Sequence, residues 1–433
     1  MATTGTPAPA GAPPGVDTDY PLSPVPAAAR RSTTSVVVVV LGFLFFTPTM
    51  ITGGQVAAAF DFSRFLLLAA AAAAVLAVYI GLMGAISART GLTTVLLTRS
   101  VFGRAGGKWA SIVLGGTQVG WYGITLATLT DLVGRALGVQ TTWPLAVVAG
   151  VAMAASAYRG FRGIEVLSWI SVPLMLALCL WVLVLAVGET GGPGDLLGLE
   201  GAGGMSTGVA LTAMIATFVS GGTQMGNWTR FARSGRTAFV STAVCVLLAQ
   251  FAMLAFGGVG AAAFGQADYA ELLVQLGIVG AGLLLLVLNL WTTNDNTAYA
   301  FGVAGAELFE RPDKRPFVVG GVVLGIAIAV SDLGGALVPF LVLLGVVIPP
   351  LGGALIGWFF LVWRGHAPAT DLAGQPLVRW SALAAYAAGT AAAWAGSAFD
   401  VGIPALQGVL VAALAAPLAA AVARRATRAE VAA

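Results

Sequence analysis

Histidine, cysteine and charge are all scarce in this chain. The one histidine, His366, lies in a polar loop, and Cys179 and Cys245 lie inside apolar runs. That excludes a disulfide framework, a Cys/His zinc site and any catalysis that needs a buried imidazole. Charged residues make up 9% of the 433 and hydrophobic ones 58%, with a mean hydropathy of +0.92. A soluble domain carries charge on roughly a quarter of its residues, so this chain has too little polar material to wet a globular surface. Lipid is its solvent. The net charge is only +3, and the basic residues are scattered in short connections without a basic face, which excludes a nucleic-acid partner.

What is abundant is apolar sequence. About 20 apolar residues cross a bilayer as a helix, and the chain offers twelve such stretches, near 35–60, 65–88, 109–134, 143–158, 165–188, 205–229, 237–264, 272–303, 317–331, 333–363, 378–397 and 404–423. The fold class expected is an all-α polytopic membrane protein. Residues 1–34 are rich in Ala and Pro without an apolar core, so they read as a disordered tail rather than a signal peptide; residues 424–433 read as a second tail. Lys and Arg accumulate in cytoplasmic loops. With the connections numbered alternately, only Arg64 and Arg135 of the 21 basic residues fall on the side away from the N-terminal tail. That bias supports twelve spans with both ends in the cytoplasm and a plasma-membrane or inner-membrane location.

Two spans carry helix-breaking strings. Span 1 contains Thr47-Pro48-Thr49-Met50-Ile51-Thr52-Gly53-Gly54-Gln55 and span 6 contains Ser220-Gly221-Gly222-Thr223-Gln224. Freed backbone at membrane depth is tolerated only where it faces protein or a wet cavity. The breaks lie five spans apart, so the second enters the membrane from the opposite face. Thr52 and Ser220 are 168 positions apart, and Gln118 in span 3 and Asn289 in span 8 are 171 apart. Two matched pairs at nearly one offset predict an inverted repeat, 35–188 against 205–363, with the spans of 378–423 appended. Secondary transporters are built this way, with the substrate near the midplane between broken helices.

The polar clusters narrow the ligand. Gln118 and Trp121 are three apart and share a helical face, and Asn289, Thr292, Thr293 and Asn296 recur at i, i+3, i+4 and i+7 as one polar stripe. A carboxamide offers donors and an acceptor, an indole offers a flat π face, and Phe218, just ahead of the span 6 break, is placed to cover a second face. Together these suit a planar, neutral ring. No Lys or Arg falls in the middle of a span, so an anion would lack a counter-charge. Unwound carbonyls of span 1 and the hydroxyls of Thr292 and Thr293 suit sodium, a hard ion that prefers oxygen; the same hydroxyls also suit ordinary bonds between helices. Asp295, an acid inside a span, reads either as an ion or proton site or as a group held by its Asn and Thr neighbours. Asp131 and Asp332 are expected near the outer rim, where water solvates them.

Several strings carry a family resemblance: Pro24-Val25-Pro26 with Ala29-Arg30-Arg31, Thr52-Gly53-Gly54, Thr90-Gly91-Leu92-Thr93-Thr94, Gly115-Gly116-Thr117-Gln118-Val119-Gly120-Trp121-Tyr122-Gly123 and Trp291-Thr292-Thr293-Asn294-Asp295-Asn296. From about Pro24 to the end of span 12 the chain resembles the nucleobase-cation symporter family, in its bacterial cytosine permease branch. The resemblance implies a LeuT-like fold with broken helices 1 and 6, and sodium-coupled uptake of cytosine by a transporter with no catalytic residues, for which a monomer suffices. Gln118 would then hydrogen-bond the base, Trp121 and Phe218 would sandwich it, and Ser220, Asn289 and Asn294 would line its polar edge. Phe46, Thr49 and Asn289 would offer carbonyls to sodium, and Thr292 and Thr293 hydroxyls. The span 6 string departs from the family's, being richer in glycine and lacking an acidic residue near Asn227. The residues alone leave open another planar heterocycle, such as a purine, uracil, a hydantoin or a pyrimidine vitamin precursor, and protons in place of sodium.

Overall fold

The computed structural model describes residues 19–266, 272–273, 275–277, 279–331, 337–366 and 374–432. Regular structure among them is helical: α1 (Thr33–Leu44), α2 (Thr47–Ala59), α3 (Phe62–Thr90), α4 (Thr94–Phe102), α5 (Arg104–Leu137), α6 (Trp143–Tyr158), α7 (Phe161–Glu189), α8 (Pro193–Leu197), α9 (Thr207–Thr223), α10 (Gly226–Thr229), α11 (Gly235–Phe264), α12 (Val279–Leu308), α13 (Arg315–Ala329), α14 (Leu337–Ile356), which runs on as a π-helical turn, α15 (Trp380–Ala398) and α16 (Pro404–Ala432). Side-chain caps start several of them: Ser32, Thr93, Ser206 and Ser234 each accept a backbone N–H three residues on. Among the described residues, five helices are by themselves long and apolar enough to cross a membrane, and α1 with α2 makes a sixth, bent by 54°. α5 and α12, of 34 and 30 residues, carry the polar strings. The outer surface is greasy, with Leu67, Val148 and Trp380 each at least 67% exposed, as lipid contact requires.

The helices pack as two groups. α2, α3, α9 and α11 pack against one another, and α5, α6, α12 and α13 form a second set; α7 touches both sets, and α14 to α16 pack together. Glycine sets the closeness inside the first group. A Cβ on Gly53 would lie 2.1 Å from the Leu254 carbonyl oxygen, and one on Gly257 would lie 1.8 Å from that of Met50. Backbones can approach this far only where both helices present small residues.

The two breaks are displaced from the strings that predict them. Span 1 breaks at Phe45–Phe46, where Phe46 is extended (φ −130°, ψ 111°), and residues 47–59 are helical. Pro48 sits in the first turn of α2, where its missing N–H costs nothing. Span 6 stays helical through Ser220, Gly221 and Gly222, breaks at Gln224–Met225, and resumes as the single turn α10.

The disorder expected over residues 1–34 needs correction. Residues 19–31 are packed. Val25 donates its N–H to the Gly91 carbonyl (2.9 Å), which the left-handed conformation of Gly91 at the end of α3 turns toward it. Arg30 donates to the carbonyls of Ala88, Arg230 and Ala232 at 2.7 to 2.8 Å. Asp19 pairs with buried Lys314 at 2.7 Å. Those distant carbonyls and one buried cation order the segment, together with Val25, which is buried in the apolar core with Tyr20 and Ala29 packed against it. At the other end α16 stays helical to Ala432 because the run is rich in Ala, Arg and Glu. Residues 1–18, residues 332–336 at the expected start of span 10, and with them Asp332, lie outside the described residues.

Candidate functional site

The two groups meet around a narrow cavity of about 20 Å³, lined by Phe43 and Phe46 of span 1, Gln118 and Trp121 of α5, Thr217, Phe218 and Gly221 of α9, and Thr293 and Thr297 of α12. Four helices meet here because the backbone is bent or small at the contact. The extended residue between α1 and α2 swings the Phe46 ring in, and Gly221 leaves room for the Phe43 ring, which a Cβ there would meet at 2.8 Å. The rings form an edge-to-face set: Phe43 and Phe218 have centroids 5.0 Å apart, Phe46 and Trp121 5.3 Å, and Phe46 and Phe218 6.4 Å.

The walls differ in how their polar atoms are used. Thr217 donates to the Met214 carbonyl (2.8 Å) and accepts from Gln250 (3.0 Å). Thr293 donates to the Asn289 carbonyl (3.1 Å), and Thr297 to that of Asn294 (2.9 Å). Gln118 is different: it is 1% exposed, and neither its Nε2 nor its Oε1 has a hydrogen-bond partner among the described residues. A buried amide left so costs about 1 to 3 kcal/mol. What the cavity offers a ligand is therefore one carboxamide edge between aromatic faces.

Of the six residues expected around the base, the structure brings Gln118, Trp121 and Phe218 together. The other three do not line the cavity. Asn289 is spent on the span 1 break: its Nδ2 donates to the Phe45 carbonyl, and its Oδ1 accepts from the Thr47 N–H (3.1 Å) and hydroxyl (2.6 Å). An unwound backbone in lipid must find such partners, and Asn289 supplies them. Asn294 turns away toward the Tyr122 carbonyl and Met153 sulfur, both at 3.4 Å. Ser220 is buried beside Gly221 with its Oγ unpartnered among the described residues. Sequence reasoning missed the side chains of Phe43, Phe46, Thr217 and Thr297. Phe46 was expected to offer only its carbonyl, and that carbonyl accepts the Thr49 N–H at 3.0 Å.

The oxygens expected to hold sodium fall into two sets. Thr292 and Thr293 both direct their hydroxyls at the Asn289 carbonyl, at 2.8 and 3.1 Å. Phe46, at the break that the Asn289 side chain clamps, lines the cavity with Thr293, and Thr49 follows it in the first turn of α2. Three neutral oxygens converging on α12 form a donor set of the kind a hard monovalent cation prefers. Asp295 is fully buried, with Oδ1 accepting from Asn296 at 3.1 Å.

On the side of the cavity toward residues 19–31, Gln224 reaches across the gap and donates to the Leu114 carbonyl (3.2 Å), one turn from Gln118. Further on, fully buried Arg230 bonds to the Tyr299 hydroxyl of α12 (3.0 Å) and to the carbonyls of Asp19 and Tyr20.

Residues 24–419 match the family described as permeases for cytosine/purines, uracil, thiamine and allantoin. The chain belongs to that family. The cytosine permease of Escherichia coli K12 is 34% identical to it over 378 residues, 87% of this permease and 89% of the relative; that of E. coli O157:H7 aligns equally. Among solved structures, Mhp1, a nucleobase-cation-symport-1 family transporter in a closed conformation with bromovinylhydantoin bound, superposes with a TM-score of 0.79 at 18% identity, covering 92% of this permease and 94% of Mhp1. A Na+-coupled sialic acid symporter superposes at 0.67 with 13% identity, covering 94% and 92%. At such identities the likeness concerns the fold, which is the LeuT-like one. The permease is a multi-pass membrane transporter, not an enzyme.

Proposed function

We propose that this permease takes up a neutral nucleobase, cytosine in the first place, together with sodium, by alternating exposure of the aromatic cavity to the two sides of the membrane. The observation that supports this most directly is the Gln118 amide, buried among Trp121, Phe218 and Phe46 with no hydrogen-bond partner among the described residues. A planar base satisfies both its donor and its acceptor while its faces lie on the rings. The cavity as it stands holds little more than a water, so a base enters as the surrounding rings move apart. The name of the E. coli relative supports cytosine, as does the family's description.

Sodium is the proposed co-substrate, held by the Asn289 carbonyl and the Thr292 and Thr293 hydroxyls with carbonyls from the span 1 break. Thr293 belongs to both sets: it lines the cavity and points its hydroxyl at Asn289. One side chain thus touches both proposed ligands, a physical route for coupling that must be reciprocal. In the proposed cycle the group of α1 to α3 and α9 to α11 rocks against α5, α6, α12 and α13, with the basic connections and residues 19–31 on the cytoplasmic side. Asn294 and Ser220 lie outside the cavity, and a contact with the base requires that rocking.

The test is a binding titration of labelled cytosine on purified permease with sodium replaced by potassium or choline. Affinity falls without sodium if the reading is right; equal affinity in all three salts removes sodium, and absence of cytosine binding in any salt removes the base. A competition panel of purine, uracil and hydantoin then ranks substrates.

A further inference from the structure

We propose that an anionic glycerophospholipid binds in the groove between α6 and α13. Val151, Ala154 and Tyr158 of α6 recur at i, i+3 and i+7 along one wall, and Val319, Val322 and Ile326 of α13 repeat the spacing along the other. The groove has a volume of about 550 Å³, against about 20 Å³ for the aromatic cavity. Its floor is buried Val318 and Val322, and its rim is exposed Val319 and Val323.

Charge identifies the occupant. Arg159 caps the C-terminal end of α6 and Arg315 opens α13, so both guanidiniums stand at the same mouth of the groove. Both are exposed, and neither forms an ion pair among the described residues. The neighbouring Asp313 carboxylate accepts the backbone N–H of Arg315 at 3.0 Å and leaves the guanidinium free. That guanidinium lies 5.5 Å from the Tyr158 ring centroid, which holds it over the mouth. Paired guanidinium forks match phosphate oxygens, and basic pockets between membrane helices on the cytoplasmic side suit anionic headgroups.

Length identifies a lipid rather than a free phosphate. From Arg315 to Ile326 the groove rises about 16 Å at 1.5 Å per residue, about half of a roughly 30 Å hydrocarbon core. It therefore runs from one membrane surface to the midplane, the reach of one acyl chain.

The test uses the whole permease reconstituted in bilayers of equal phosphatidylglycerol and phosphatidylcholine, extracted in mild detergent and weighed by native mass spectrometry. Wild type retains phosphatidylglycerol in preference. The Arg159→Gln/Arg315→Gln variant loses that preference at least tenfold, and Ala155→Trp, which fills the groove and spares both arginines, loses it too. Arg236→Gln, an exposed arginine elsewhere, keeps it. Preference unchanged in the double variant or in Ala155→Trp overturns the proposal, as does equal retention of the zwitterionic lipid. Displacement by glycerol phosphate at lipid-equivalent concentration reduces the site to a headgroup-only one and also overturns it. If the double variant does not fold, Ala155→Trp alone decides. Retention is read without transport, so the outcome is independent of the proposed substrate.

Discussion

Replacing Gln118 by leucine separates stability from binding in opposite directions. The side chain is 1% exposed and its amide has no partner among the described residues, so the folded protein without a ligand gains nothing from it. Leucine fills nearly the same volume with apolar atoms, and the unpaired amide, a cost of about 1 to 3 kcal/mol, disappears. The melting temperature of Gln118→Leu without cytosine should therefore equal or exceed that of wild type. With cytosine the sign reverses. The base loses its hydrogen-bonding edge while its own polar atoms remain buried, which should cost about 1 to 3 kcal/mol, or roughly 5- to 150-fold in Kd. The assay is paired: thermal melts without ligand, and equilibrium binding of labelled cytosine to the same preparations. A fall in melting temperature would mean that Gln118 has protein partners after all, and an unchanged Kd would mean that the base binds elsewhere. Either result refutes the reasoning.

Other perturbations read other parts of the molecule. Thr293→Ala removes the hydroxyl shared by the cavity and the proposed ion site, so sodium affinity and cytosine affinity should fall together in isothermal titrations; wild-type cytosine affinity that remains sodium-dependent would clear Thr293 of any coupling role. Asp19→Asn removes the carboxylate charge paired with the buried Lys314 ammonium, a loss of about 3 kcal/mol by analogy with other broken buried pairs, visible as a lower melting temperature in detergent. Gly257→Ala sets a methyl 1.8 Å from the Met50 carbonyl oxygen, whereas Gly188→Ala meets nothing within 4 Å; the first should reduce the yield of folded protein in size-exclusion profiles and the second should not. Gln224→Leu deletes the bond to Leu114, so a cysteine reporter on the side of residues 19–31 should be labelled faster in it than in wild type; equal rates would mean the bond does not restrain opening.

The polar part of the site was legible because helical spacing is local. Gln118 and Trp121 are three residues apart, and Thr293 lies on a stripe of period 3.6, so both faces follow from the sequence alone. The aromatic part was half legible. Phe218 stood out beside a break, but Phe43 and Phe46 sit in a run of valines, leucines and phenylalanines where nothing separates a ring that lines a cavity from one that fills a core. Only the extended conformation at Phe46 turns its ring inward. Which neighbour claims the Asn289 side chain was not legible for a related reason: its place on the stripe follows from the spacing, but its partner depends on where span 1 breaks, two residues before the string that signals the break. Residues 19–31 were missed because their order comes from carbonyls as much as 202 positions away, which no local pattern encodes.

The contrast between contacts within each group of helices and contacts between the groups bears on how such a protein could move. Within the groups, glycines bring backbones into registers that cannot slide: Gly53 and Gly257 lock α2 to α11, and a Cβ on Gly115 of α5 would meet Ala304 of α12 at 2.8 Å. Between the groups, the polar links described above are five side-chain bonds: three from Asn289 to Phe45 and Thr47, one from Gln224 to Leu114, and one from Arg230 to Tyr299. A neutral bond of this kind is worth about 1 kcal/mol net and one from a charged donor about 1.5 to 3, so breaking all five costs on the order of 5 to 7 kcal/mol. Shifting a two-state equilibrium from 1:99 to 99:1 takes about 5.5 kcal/mol of differential binding. The links between the groups are thus of the size that one ion and one base, bound better in one state than the other, can overcome, whereas the glycine interlocks are not. Rigid groups joined by a few breakable bonds are what the proposed rocking needs, and the bonds that must break are those beside the cavity.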